Sequence, residues 1–254
     1  LSSAASDVYK RQIMNPANQY VAELVKSGRL GKIMRVHATY DQDMLLDPSI
    51  PLAWRHINKL AGCGALGDLG SHLLSISQFI MGDITKVNAV ATTVFPKRPK
   101  AAGSTEMADV ENEDIMTFMA EYANGAIGQI ACSRVATGRK NYLTYEIQGT
   151  KGSVRYDLER MGEVQVYFQS DNERDRGFRT VLLNPLMKGY SAFQPAAGIS
   201  IAYNDMKILE VHALFDAITN GADYVTDFEF GYKIDRTVAA VIESSKTHEW
   251  VDVK

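Results

Sequence analysis

The stretch from Trp54-Arg55-His56 to His72, WRHINKLAGCGALGDLGSH, gathers the residue types in this chain that could do chemistry. Asp68 and His72 are four apart, so on a helix they share one face, about one turn from each other. A carboxylate so placed can hold an imidazole in one tautomer and stabilise its protonated form, which suits a general base working near neutral pH. Ser75 continues the same polar edge, and Gly62, Gly64, Gly67 and Gly70 leave room for backbone or a ligand to come close. The bland alternatives are a surface hydrogen bond and glycines that serve only the start of a helix. Two local ligands make a poor metal site.

The elements that must position these residues can be read from punctuation and period. Asn15 and Pro16 cap and open a helix whose apolar stripe is Ala17, Tyr20, Val21, Leu24 and Val25, and Gly28 ends it. In GKIMRVHATYD, Met34, Val36, Ala38 and Tyr40 alternate with Arg35, His37 and Thr39, the pattern of a half-buried strand. Residues 42–64 read as loop. A helix over 65–81 follows, with Leu66, Leu69, Leu73, Ile76 and Ile80 inward and Asp68, His72 and Ser75 beside the stripe. Strands are predicted at 84–95, 114–122, 126–135, 142–148, 153–158, 163–169 and 178–183, with a polar loop at 96–111 and a hairpin at Asn124-Gly125. Helices at 205–219 and 227–246, the second with a Thr226–Glu229 capping box, precede a last strand from Trp250 to Val253. The fold class is α+β: one large, predominantly antiparallel, open-faced sheet with helices packed on one face. The order of elements is not the alternating βαβ of a dinucleotide-binding half.

Composition sets the outer limits. The 254 residues are 46% hydrophobic and 22% charged, with 30 acidic against 27 basic side chains. That is an ordinary globular balance with no basic stripe for nucleic acid and no apolar run long enough for a bilayer. Two cysteines, Cys63 and Cys132, make no disulfide framework, which reads as a reducing, cytoplasmic compartment. The first twelve residues, LSSAASDVYKRQ, lack periodicity and an h-region; they look like a translated adapter scar and are set apart from the domain at 13–254, the alternative being a flexible tail.

Several strings together resemble the Gfo/Idh/MocA oxidoreductase family: GALGDLGSHLL, the Trp54-Arg55 pair fourteen residues before Asp68, NPANQYVAELVKSGRLGKI, ENEDIMTFMAEYANGAIGQIACSRVATGRKN, EIQGTKGSVRYDLER and YNDMKILE. They span nearly all of 14–254 and are most similar to the family's inositol, levoglucosan and related sugar dehydrogenases. The resemblance implies the C-terminal, substrate-side domain of an NAD- or NADP-dependent enzyme acting on a sugar or polyol, its dinucleotide-binding half lying upstream. His72 would take the hydroxyl proton, and Asp68 would bind that hydroxyl or orient His72. Trp54 and Arg55 would line the nicotinamide and phosphate side, and Tyr203, Asn204 and Asp205 would contact the sugar. The alternatives are packing and a surface ion pair for Trp54 and Arg55, and a helix cap for Asn204 or Asp205. The family's Glu-Lys-Pro lysine is not in this chain, and Ala197–Ala202 replaces a turn that carries a substrate-facing histidine in relatives. Two other functions stay open: a glycosidase of the same family that uses bound NAD, and a non-catalytic oligomerisation domain. A homo-oligomer through the open sheet face is expected, with Ile115, Thr117 and Met119 outside and Met116, Phe118 and Ala120 inside. The helix bearing Asp68 and His72 is expected to need the dinucleotide domain as cover, which makes low solubility of the 254-residue chain the expectation.

Overall fold

Asn15 and Pro16 open the first helix as their types demand. In a computed structural model that describes residues 11–254, α1 runs Pro16–Lys26, and the Asn15 Oδ1 accepts the Ala17 N–H at 2.8 Å. Most of the segment read as scar or tail, residues 1–10, lies outside the described residues. Arg11 and Gln12 do not: Arg11–Met14 forms a tight turn with Gln12 and Ile13 buried. Helix α1 is tied to the sheet by buried hydrogen bonds, Asn15 Nδ2 to the Tyr156 hydroxyl (2.9 Å) and the Tyr145 hydroxyl to Asn18 Oδ1 (2.7 Å).

Strand β1, Ile33–Asp41, buries Val36, Ala38 and Tyr40 as the alternation predicts. Met34 departs from it, because the register with its neighbour shifts between Ile33 and Arg35 and turns Met34 outward. After a turn at Trp54–His56 and one helical turn at Asn58–Ala61 comes a π turn, Leu66–Gly70, leading into α2, Ser71–Met81. The remaining elements are β2 (Ile84–Thr92), β3 (Lys97–Pro99), β4 (Met107–Asp109), β5 (Ile115–Tyr122), β6 (Ile127–Ser133), β7 (Tyr142–Gly149), β8 (Gly152–Asp157), β9 (Glu163–Phe168), β10 (Arg179–Leu182), α3 (Tyr203–Asn220), α4 (Phe228–Thr247) and β11 (Val251–Asp252).

Among the described residues nine strands form one sheet in the order β10-β9-β8-β7-β1-β6-β5-β2-β11. All neighbours are antiparallel except β1 and β6, which run parallel at the centre. The sheet is α+β and open-faced as read from the sequence. Met116, Phe118 and Ala120 point into the core; Thr117, Met119, Gln129 and His37 lie on the uncovered side. Helices α1, α2 and α4 cover the other face, α4 through Ile234, Thr237, Ala240 and Val241, with Ser244 accepting the Ala89 N–H at 2.9 Å.

Four local readings are corrected. The stretch 96–111 holds a small hairpin, β3 with β4, fixed by the buried Arg98, which donates to the Asp47 carbonyl at 2.8 Å and so pins the long loop after β1. The β5–β6 hairpin closes with three residues: Gly125 N–H donates to the Tyr122 carbonyl and Tyr122 N–H to that of Ala126, with only Gly125 at positive φ. This is the turn-plus-bulge hairpin rather than the two-residue kind. The cap of α4 is Asp227, which accepts the Phe230 N–H, rather than Thr226. Finally, α2 has no polar flank in solvent, since every residue from Ser71 to Met81 except Phe79 is buried.

Candidate active site

The Gly-rich loop leads into the buried N-terminal end of α2. Gly64 sits so close to the next layer that a Cβ on it would lie 1.9 Å from the Glu113 carbonyl oxygen. Ahead of α2 the Ser71 N–H reaches back five residues to the Leu66 carbonyl, the ring of a π turn, and Ser71 Oγ bonds the Gly67 carbonyl. Asp68 lies inside that wider turn. It therefore stands apart from His72 and pairs with Arg55, Oδ2 to Nε at 3.4 Å. The pair is an ion contact only: neither the Asp68 Oδ2 nor the Arg55 Nε, both shielded from solvent, has a hydrogen-bond partner among the described residues. Arg55 also stacks over the Trp54 ring at 4.4 Å, and Trp54 is half exposed.

His72 is 5% exposed and packs edge-on against Tyr40, ring centres 5.6 Å apart. Its Nδ1 meets Gln12 Oε1 at 2.9 Å. A carbonyl oxygen only accepts, so Nδ1 carries the proton and Nε2 is the basic nitrogen. Burial, and then the Arg11 guanidinium, hold the ring's pKa down at about 3. The tautomer is thus set by Gln12, not by Asp68 as the spacing suggested. Spacing on a regular helix could not reveal this, because Asp68 lies in a π turn and pairs with Arg55, and because Gln12 falls in the segment set aside from the domain.

Around Tyr40, which packs on His72, stand polar residues that the sequence reading missed. The Tyr40 hydroxyl donates to Asn141 Oδ1 at 2.6 Å, and Gln42 Nε2 donates to the same oxygen at 2.9 Å. Burial and the neighbouring Tyr203 keep the Tyr40 phenol protonated. Tyr40 was legible as core from its alternation, and the one available signal for more was that a buried phenol needs a partner. Tyr203 lies near Tyr40 and has Arg11 stacked on its ring at 4.5 Å. Its two neighbours are engaged elsewhere: Asp205 accepts the Ala202 N–H at 2.7 Å and caps α3, and the exposed Asn204 meets Lys207. Arg134 is fully buried against Asp114 at 3.7 Å, whereas Arg139 and Lys140 are exposed. A cleft of about 640 Å³ runs between α1 and the segment after β10, past Gln19, Glu23, Lys26 and Met187, and none of the site residues borders it.

Gly62-Cys63-Gly64-Ala65-Leu66-Gly67 has the bare G-x-G-x-x-G spacing. Here it cannot cradle a pyrophosphate, because the Gly64 and Leu66 N–H groups already donate to the Glu113 carboxylate, at 2.8 and 2.9 Å. What this chain offers a dinucleotide is the half-exposed Trp54 face with the Arg55 guanidinium beside Asp68, a fit for a planar ring and a phosphate edge but not for a whole cofactor.

Comparison with known proteins places this geometry. Residues 18–155 match the model of the GFO/IDH/MocA C-terminal domain. The chain is 37% identical over 249 residues to levoglucosan dehydrogenase of Pseudarthrobacter phenanthrenivorans, which covers 94% of this chain and 64% of that protein. It is 30% identical over 102 residues to D-apiose dehydrogenase of Rhizobium rhizogenes, 37% of this chain and 26% of that one. Levoglucosan dehydrogenase solved with NADH and levoglucosan superposes with a TM-score of 0.91 at 36% identity over 96% of this chain and 64% of its own. An NAD binding oxidoreductase from Klebsiella pneumoniae gives 0.92 at 36% identity over 96% and 65%. The chain thus spans under two thirds of the length of these full relatives, and it belongs to the GFO/IDH/MocA family through that family's C-terminal domain.

Proposed function

We propose that this chain is the substrate-side part of an NAD- or NADP-dependent dehydrogenase that oxidises a hydroxyl of a sugar or polyol, with an anhydrosugar of the levoglucosan kind the first substrate to try. The observation that carries this reading is the shielded Asp68 Oδ2, held beside Arg55 without a hydrogen bond, four residues before a His72 whose Nδ1 is engaged by Gln12. A carboxylate oxygen in that condition is an acceptor for a donated hydroxyl. Tyr40, Gln42, Asn141 and Tyr203 supply further polar groups around it.

In this reading Asp68 accepts a hydrogen bond from a neighbouring substrate hydroxyl and Arg55 holds Asp68 aimed. His72 Nε2 takes the proton. Its low pKa is a poor match for proton transfer at neutral pH, so the arriving substrate must move Arg11 aside or admit water to the ring. Trp54 and Arg55 face the nicotinamide side; the cofactor supplies the two-electron acceptor that no side chain can provide. The open sheet face carries Met119 and Ile127, both more than half exposed, and would pair with a second copy. A monomer in sedimentation of the intact protein would count against that last part.

The decisive assay follows NAD and NADP reduction by the intact protein with levoglucosan, myo-inositol and free aldoses. Turnover with at least one sugar is expected, with a loss of about 100-fold or more in kcat for Asp68→Asn and for His72→Gln. No turnover with any of them would sink the reading.

A further inference from the structure

The two halves of the site are joined by a weak connection. Between the Trp54–His56 turn and the π turn at Leu66–Gly70 the chain passes through Asn58, Lys59, Leu60 and Gly62, all exposed. Nothing in that stretch up to Gly62 is buried, so it cannot by itself fix where Arg55 stands relative to Asp68.

The lead-in to β5 spans the gap instead. The Glu111 and Asn112 N–H groups both donate to the His56 carbonyl, at 2.9 and 3.3 Å. The buried Asn112 side chain donates through Nδ2 to the Arg55 carbonyl at 2.9 Å. One residue on, the Glu113 carboxylate takes the Gly64 and Leu66 N–H groups, one on each oxygen, while its own carbonyl takes the Ala65 N–H at 3.0 Å. The carboxylate occupies the place where the start of the π turn and α2 exposes backbone N–H groups, so it acts as a cap supplied from far away in sequence. The strand is anchored behind: Arg134, fully buried, donates to the Glu113 carbonyl at 2.9 Å, and Asp114 accepts the Val94 and Phe95 N–H groups at 2.9 and 3.1 Å.

We infer that Asn112 and Glu113 are positioning residues which, by holding the Arg55 carbonyl and the Gly64 and Leu66 amides from adjacent positions of one rigid segment, set the Arg55–Asp68 pair. The inference rests on the reading of Asp68 and Arg55 given above, and it explains why a one-residue step in sequence serves both halves. Asn112→Asp keeps the volume and replaces the donor facing the Arg55 carbonyl with an acceptor. Glu113→Gln keeps the volume and turns an amide NH2 toward one of two backbone N–H groups. Glu113→Asp keeps the charge one methylene short.

The test uses the intact protein with ¹⁵N-labelled arginine, the Arg55 Nε–Hε signal assigned through Arg55→Lys. Faster solvent exchange of that proton is expected in Asn112→Asp and Glu113→Gln, with a partial return in Glu113→Asp. In sugar oxidation both isosteric variants should lose about 10- to 100-fold in kcat, the scale of a misplaced catalytic group. That loss should disappear when they are combined with Asp68→Asn, because the pair they position is already gone. Unchanged Arg55 exchange, or a loss that simply adds to that of Asp68→Asn, would overturn the inference and leave only a packing role. Should Glu113→Gln not fold, Asn112→Asp carries both comparisons. If the wild-type protein oxidises no sugar, the functional reading falls while the exchange measurement still decides whether the clamp exists.

Discussion

His72 is where one side chain couples the site to stability. An imidazole ordinarily titrates near 6.5, and burial here lowers it to about 3. Between those two values the unfolded chain binds a proton that the folded chain refuses, so stability is full above about pH 6.5 and falls as the pH drops toward 3. The loss is on the order of several kcal/mol at the acid end, an upper bound for a fully desolvated ring. His56, also buried, with its pKa lowered mainly by desolvation and then by Arg98 and Arg134, acts in the same direction. His72→Gln should therefore flatten, without abolishing, the acid dependence of the urea midpoint between pH 6.5 and 3. Equal slopes in variant and wild type would mean that His72 titrates near its ordinary value. The sequence could propose Asp68 and His72 as site residues from their types. It could not show that each has another partner, because Arg55 and Gln12 reach them only through the folded chain.

At the scale of the element, the loop glycines separate geometry from decoration. Gly64 meets backbone, the Glu113 carbonyl oxygen, which cannot rotate away. Gly64→Ala should cost about 3 kcal/mol or more and disturb the site with it. Gly67 meets only the Cys63 Sγ, at 2.7 Å from an added Cβ, and a thiol can turn aside. Because alanine also favours the helical backbone by about 1 kcal/mol, Gly67→Ala should be close to neutral in the same urea melts. Comparable losses for both would refute the distinction. Strand alternation, helix stripes and caps made most of the sheet and α1 legible, Asn15 and Pro16 above all. The π turn was not, because Leu66, Leu69, Leu73, Ile76 and Ile80 keep a regular helical period across it. The β3–β4 hairpin was hidden because its strands are three residues each and are held by the Arg98 side chain rather than by an apolar face.

For the whole molecule, exposed apolar surface lies on the open sheet face, as the sequence suggested, but not on the helix that bears His72. Helix α2, expected to need an outside partner, is enclosed by α1, α4 and the sheet. Helix α3 is the open one: of its eighteen residues only Met206 is buried, while Ile208, Val211, Phe215 and Ile218 are each more than half exposed. Spaced by three, four and three, these four residues form a single helical face, which makes α3 a source of self-association of the 254-residue chain beside the open sheet face. Two substitutions on that face, Phe215→Glu and Ile218→Lys, should raise its soluble yield and lower its dye-reported apolar exposure while leaving the urea midpoint within about 0.5 kcal/mol, since neither side chain contributes to the core. Met206→Ala, by contrast, should cost about 2–5 kcal/mol, because that side chain is the one buried anchor of α3. If the surface variants instead destabilise as Met206→Ala does, the face is already covered within this chain, and the apolar surface responsible for association must be the open side of the sheet around Met119 and Ile127.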